Sequence, residues 1–153
     1  MPTRVVPPTL EDAIALAATA HRAQVYPAPG GEPFILHPMR VMLGVEGDAG
    51  DAERVVAVLH DVVEDTACTL DDLRRAGYPG TVVDALDRLT RRDGEPYEEY
   101  IGRVAPDPVA RRVKLADLTD NLATIRRQEP TTETCARIAR YERARRRLLS
   151  APA

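Results

Sequence analysis

Between residues 57 and 66 the chain reads AVLHDVVEDT, an apolar run that breaks into His60, Asp61, Glu64 and Asp65. Imidazoles and carboxylates at this density can hold a divalent cation or move protons. In an otherwise apolar segment they oppose folding unless something binds them. Read as one continuous helix, with about 100° between successive residues, the segment places Asp61, Glu64 and Asp65 about 100°, 40° and 140° from His60. All four then share one side, leaving Val56, Leu59, Val62 and Val63 for packing. Carboxylates near a helix C-terminus also oppose its dipole, which favours cations there. A bound metal ion answers both objections.

His60 and Asp61 are adjacent, so other segments must complete such a site. His37 in FILHPMR lies at the mouth of a helix after a Gly/Pro loop, and Asp117 in VKLADLTDNL is a polar interruption of an apolar helix. Alone, His37 reads as a cap or loop histidine and Asp117 as a partner for arginine. Together with His60 and Asp61 they make a mixed nitrogen and oxygen set, suited to Mn²⁺ or Fe²⁺ and less typical of structural zinc. Fewer than six protein ligands leave room for water and a substrate oxygen, where a metal acidifies water and polarises a phosphorus–oxygen bond.

The elements that must carry these residues are helical. Thr9 followed by Asp12 forms a capping box ahead of Leu10, Ile14, Ala17 and Ala18, predicting a helix over about 9–24. VYPAPGGEP reads as loop, and HPMRVMLGVEG as a helix from near Pro38 to near Gly47. DAERVVAVLHDVVEDT is the third helix, and Thr69–Asp72 opens a short fourth that closes at Gly77. GTVVDALDRLT is the fifth, and YEEYIGRV a short sixth. PVARRVKLADLTDNLATIRRQ and TETCARIARYERARRRLLS are long amphipathic helices. No alternating strand pattern of useful length interrupts them. The expectation is an all-α single domain over 1–153, a bundle of about seven to eight helices.

With 153 residues the chain can bury one proper core. The only lysine is Lys114, in VKLAD; the other 20 basic residues are arginine. Aromatic content of 4% without tryptophan offers no stacking platform for single-stranded nucleic acid, and a net charge of -3 argues against duplex binding. The arginine-rich last helix reads as a solvated face with Ile138, Tyr141, Leu148 and Leu149 turned inward. Cys68 and Cys135 read as free thiols of a reducing compartment. No apolar run approaches a membrane span and no signal core is present, so the expected location is the cytoplasm.

LHDVVEDT, with an upstream HP and a downstream KLADLTDN, resembles the HD-domain metal-dependent phosphohydrolases. The likeness is strongest to the hydrolase domain of the Rel/SpoT alarmone enzymes and to small stand-alone alarmone (ppGpp) hydrolases. Their motifs read approximately H-x-G-Q-x-R-K-x-G-x-P-Y-x-x-H-P, L-H-D-x-x-E-D-T and K-L-A-D-x-x-x-N. The match spans about residues 13–125. The resemblance implies metal ligation by His37, His60, Asp61 and Asp117, with Glu64 and Asp65 as the acidic pair that orients or deprotonates water. It further implies nucleotide contacts from Lys114 and Asn121, and a supporting role for His21 and Gln24.

The basic pair of the first motif is replaced by Tyr26 and Pro27, so the chemistry is better specified than the nucleotide. The expected function is 3′-pyrophosphohydrolysis of guanosine-3′,5′-bis(diphosphate), with Mn²⁺ or another divalent metal and a small-molecule nucleotide substrate. The alternatives are a nucleotidase or phosphodiesterase on another nucleotide, and a nucleotide-sensing module without turnover. Tyr97 and Tyr100, three apart, read as core aromatics, and Asp120 as solvated or paired with a basic neighbour.

Overall fold

The computed structural model describes residues 6–45 and 47–152. Helix α1 (Leu10–Ala20) begins at the expected capping box: the Thr9 hydroxyl accepts the Asp12 N–H, and the Asp12 carboxylate accepts the Thr9 N–H at 2.8 Å. It stops short of residue 24 because Ala23 adopts φ 66°, which reverses the chain. The segment read as loop contains a two-strand hairpin, β1 (Val25–Tyr26) and β2 (Glu32–Pro33), with Val25 opposite Pro33 and Tyr26 opposite Glu32. Helix α2 runs Leu36–Gly44, shorter than the sequence suggested at its C-terminal end.

Ala23 stands where the resembled motif has glycine. A left-handed backbone brings Cβ against the following carbonyl, at a cost of about 1–2 kcal/mol. Ala23→Gly relieves it but loosens the unfolded chain, so the net expected gain is about 0.5–1 kcal/mol. A raised urea midpoint at unchanged slope would show it; a lowered midpoint would mean that Ala23 is not strained.

Helix α3 (Asp51–Leu59) is the centre of the fold. Val55 through Leu59 are all buried, so it is enclosed on every side, as its run of apolar residues requires. It does not continue through residue 66. It ends at Leu59, and after His60 and Asp61 a single turn, α4 (Val62–Asp65), begins. The sequence reading of one unbroken helix is therefore corrected, and the cause is local. The His60 Nδ1–H donates to the Ala57 carbonyl at 2.7 Å, the acceptor that the next helical N–H would have used.

Helix α5 (Leu70–Arg75) opens on the Thr69–Asp72 capping box, followed by α6 (Gly80–Leu89) and α7 (Tyr97–Val104). Helix α8 (Pro108–Ile125) is capped by the Asp107 carboxylate with proline in its first turn, and α9 (Thr132–Ser150) closes the chain. The fold is all-α: nine helical segments among the described residues, eight if α3 and α4 count as one interrupted helix. Helix α3 packs on α1, α2, α6 and α8, and α8 in turn on α2, α6, α7 and α9. On α9 the inward stripe is Ala144 and Leu148, while Leu149, expected inside, is 60% exposed. One residue along a helix is a rotation of about 100°, and only one of the two leucines fits the seam. No helix among the described residues is long and apolar enough to cross a membrane.

Candidate metal centre and cleft

Three helices deliver the expected ligands to one point. The N-terminal turn of α2 brings His37, the break between α3 and α4 brings His60 and Asp61, and the middle of α8 brings Asp117. His37, His60 and Asp117 are 2–3% exposed. His37 Nε2 lies 3.1 Å and His60 Nε2 3.4 Å from Asp117 Oδ1. Asp61 is outside the tightest three-residue grouping, yet its Oδ2 is 3.5 Å and 3.2 Å from the same two nitrogens.

The far side of each ring decides what the near side offers. His37 Nδ1–H donates to Asp120 Oδ2 at 2.7 Å, and His60 Nδ1–H to the Ala57 carbonyl at 2.7 Å. A carbonyl only accepts, so His60 must carry its proton on Nδ1, and in the neutral ring Nε2 is a lone pair. That buried Nε2 has no hydrogen-bond partner. Lone pairs of two imidazoles and two carboxylates converging at 3.1–3.5 Å repel one another unless a positive charge lies between them. Ligand bonds of about 2.1 Å place neighbouring donors on one ion about 3 Å apart. The residues therefore fit a divalent ion by donor chemistry and by spacing.

Without an ion, protons take its place. Burial alone would depress both histidines, but the Asp61 and Asp117 carboxylates raise His60 well above its ordinary value, and Asp117 and Asp120 raise His37. Burial likewise opposes ionisation of Asp117, but the Lys114 ammonium and both imidazoles hold it well below the usual carboxylate range.

Around this set the structure adds groups whose role the sequence did not reveal. Asp120 takes the His37 Nδ1–H and two hydrogen bonds from Arg40, at 2.7 and 3.2 Å, so it is paired as expected but also orients a candidate ligand. Spacing was the available signal: Asp117, Asp120 and Asn121 form an i, i+3, i+4 polar stripe on α8, and Arg40 follows His37 by three residues. Carboxylate–histidine partners of this kind tune affinity, so Asp120→Ala is expected to weaken Mn²⁺ binding about 10–100-fold. Calorimetric titration of metal-stripped protein checks this, and unchanged affinity would refute it.

Lys114 and Asn121 both face Asp117. Lys114 Nζ donates to Oδ2 at 2.7 Å and Asn121 Nδ2 to Oδ1 at 2.7 Å. Glu64 and Asp65 lie at the solvent side of the cleft. Glu64 Oε2 accepts the Arg91 N–H at 3.2 Å, while the Asp65 carboxylate has no hydrogen bond among the described residues. Partial burial raises both carboxyls, and the Asp61 charge adds to it. His21 and Gln24 stand behind the turn that carries the acidic pair. His21 Nδ1 bonds Gln24 Oε1 at 2.8 Å, and Gln24 Nε2 donates to the Asp65 carbonyl at 2.9 Å.

The candidate ligands, the acidic pair, Lys114 and Asn121 line a cleft of about 290 Å³, and Arg91, Tyr97, Arg140 and Tyr141 line it with them. Glu64 and Arg91 also line an open groove along Thr90–Pro96. Tyr100 is buried, its hydroxyl on the Leu89 carbonyl, as a core aromatic should be. Both Tyr97 and Tyr100 line the cleft. Elsewhere on α9 the arginines are partly answered by local carboxylates, Arg137 by Glu133 and Arg143 and Arg147 by Glu98. Cys68 and Cys135 are free.

No protein-family model matches the chain. It is 36% identical over 140 residues to the mouse (Mus musculus) guanosine-3′,5′-bis(diphosphate) 3′-pyrophosphohydrolase MESH1, covering 86% of this chain and 78% of that protein. To the bifunctional (p)ppGpp synthase/hydrolase SpoT of Escherichia coli it is 32% identical over 127 residues, 76% of this chain and 18% of that longer protein. Among solved structures, a metazoan orthologue of SpoT that hydrolyses ppGpp superposes with a TM-score of 0.81 at 24% identity, covering 97% of this chain and 90% of that one. That likeness is one of fold.

Proposed function

Since the chain belongs to the family of guanosine-3′,5′-bis(diphosphate) 3′-pyrophosphohydrolases, we propose that it removes the 3′-pyrophosphate of this alarmone with Mn²⁺ held by His37, His60, Asp61 and Asp117. The observation that carries the reading is the convergence of two Nδ1-anchored imidazoles and two carboxylates at 3.1–3.5 Å, beside an open acidic pair. When bound, a divalent ion supplies positive charge to the phosphoryl oxygens and acidifies water.

The remaining work falls to the chain's own groups. Water adds at the phosphorus bonded to the 3′-oxygen, the bond from phosphorus to that oxygen breaks, the leaving oxygen takes up a proton as the 3′-hydroxyl, and the products are guanosine diphosphate and pyrophosphate. Asp65, whose carboxylate has no hydrogen bond among the described residues and whose pKa is raised by burial, takes the proton of the attacking water. Glu64, fixed on the Arg91 amide, orients that water and assists the proton's transfer. Lys114 neutralises charge on the phosphate side of Asp117. Asn121 keeps one N–H and one lone pair for the nucleotide after its bonds inside the protein are counted.

The test is to load the protein with Mn²⁺ and assay guanosine and adenosine alarmones beside simple nucleotides. Stoichiometric pyrophosphate from the guanosine alarmone is expected. Hydrolysis of simple nucleotides alone would make the chain a nucleotidase, and tight binding without product would make it a sensor.

A further inference from the structure

The departure from the family motif at Tyr26 sits directly on the candidate ligands. Tyr26 is 5% exposed and its ring lies flat on the His37 imidazole, centroids 4.6 Å apart and planes within 10°. Its hydroxyl is 2.6 Å from Asn121 Oδ1. The direction of that bond is fixed by chemistry. Ionised Asp117 can only accept, so the Asn121 amide must turn Nδ2 towards Asp117 Oδ1, at 2.7 Å, and Oδ1 towards Tyr26. The tyrosine hydroxyl then donates. Asp117 Oδ1 is the same oxygen that faces both imidazole Nε2 atoms.

We propose that Tyr26 is a positioning residue for the metal centre, its ring setting the plane of His37 and its hydroxyl holding Asn121 on Asp117 Oδ1. The inference rests on reading His37, His60, Asp61 and Asp117 as ligands. A basic side chain at this place would put a positive charge beside the bound cation; tyrosine braces the same ligands without one. The replacement thus favours metal retention over an extra ionic contact to the nucleotide.

Titration of metal-stripped protein with Mn²⁺ by calorimetry reads this without substrate. Outer-shell changes of this kind weaken binding by about tenfold or more, which is the expectation for Tyr26→Leu, while Tyr26→Phe, keeping the ring, should lose only about threefold. In an Asn121→Ala background the Tyr26→Phe change should add nothing, because the hydroxyl acts through Asn121. The Phe variant and this cycle serve if the Leu variant does not fold. Equal losses for Phe in both backgrounds, or affinities for all variants within twofold of the parent, would overturn the role of Tyr26. A parent that binds no Mn²⁺ would overturn the metal reading with it.

Discussion

Asp61→Ala is expected to abolish Mn²⁺ retention and to lower alarmone turnover by about 10³-fold or more. Lewis-acid stabilisation by a metal is worth several kcal/mol, and each 1.36 kcal/mol is about tenfold in rate. Asp61 Oδ2 faces both imidazole nitrogens, at 3.5 and 3.2 Å, and among the described residues the other carboxylate in reach of both is Asp117, already engaged by Lys114 and Asn121. The fold should survive the change. The Asp61 side chain is one-fifth exposed and makes no capping hydrogen bond to α4, so alanine leaves no dry cavity and removes no helix cap. Far-ultraviolet circular dichroism, metal content after gel filtration and pyrophosphate release separate the possibilities. A folded Asp61→Ala protein with one equivalent of manganese and parental turnover would remove Asp61 from the ligand set.

What could be read from the sequence was local chemistry, and what could not was competition between local and tertiary partners. The capping boxes at Thr9–Asp12 and Thr69–Asp72 stand where expected because a hydroxyl and a carboxylate three residues apart satisfy each other whatever surrounds them. The break after Leu59 carries no proline or glycine to announce it. It arises because a histidine side chain takes the carbonyl that its helix would have used. At this break Asp61 keeps a right-handed backbone, φ -100° and ψ -4°, and its carboxylate faces the His37 imidazole on α2. Asp120 was legible as a charge in need of a partner, but not as the group that orients His37, since its partner lies 83 residues away. Ala23 gives by its own residue type no sign of the left-handed turn before the hairpin; the glycine of the resembled motif at this place was the available signal.

The acidic pair should behave unlike the ligands: Asp65→Asn and Glu64→Gln are expected to keep metal and lose turnover. General acid–base groups contribute about 10²–10⁴-fold, and the two residues should divide this range unequally. The Asp65 carboxylate has no hydrogen bond among the described residues, and burial together with the Asp61 charge raises its pKa, both of which suit a proton acceptor at neutral pH. Glu64 spends one oxygen on the Arg91 N–H, which fixes its direction but lowers its basicity. Asparagine at 65 should therefore cost about 10³-fold in kcat and glutamine at 64 about 10²-fold, within the range for such groups. KM should change little in either, because the amides are isosteric and Lys114 and Asn121 remain. Single-turnover rates on the Mn²⁺-loaded variants measure the two losses. A reversed order would hand the water proton to Glu64 and leave Asp65 to orient. Loss of manganese from either variant would mean that the residue is a ligand, and that the boundary between metal set and acidic pair runs elsewhere.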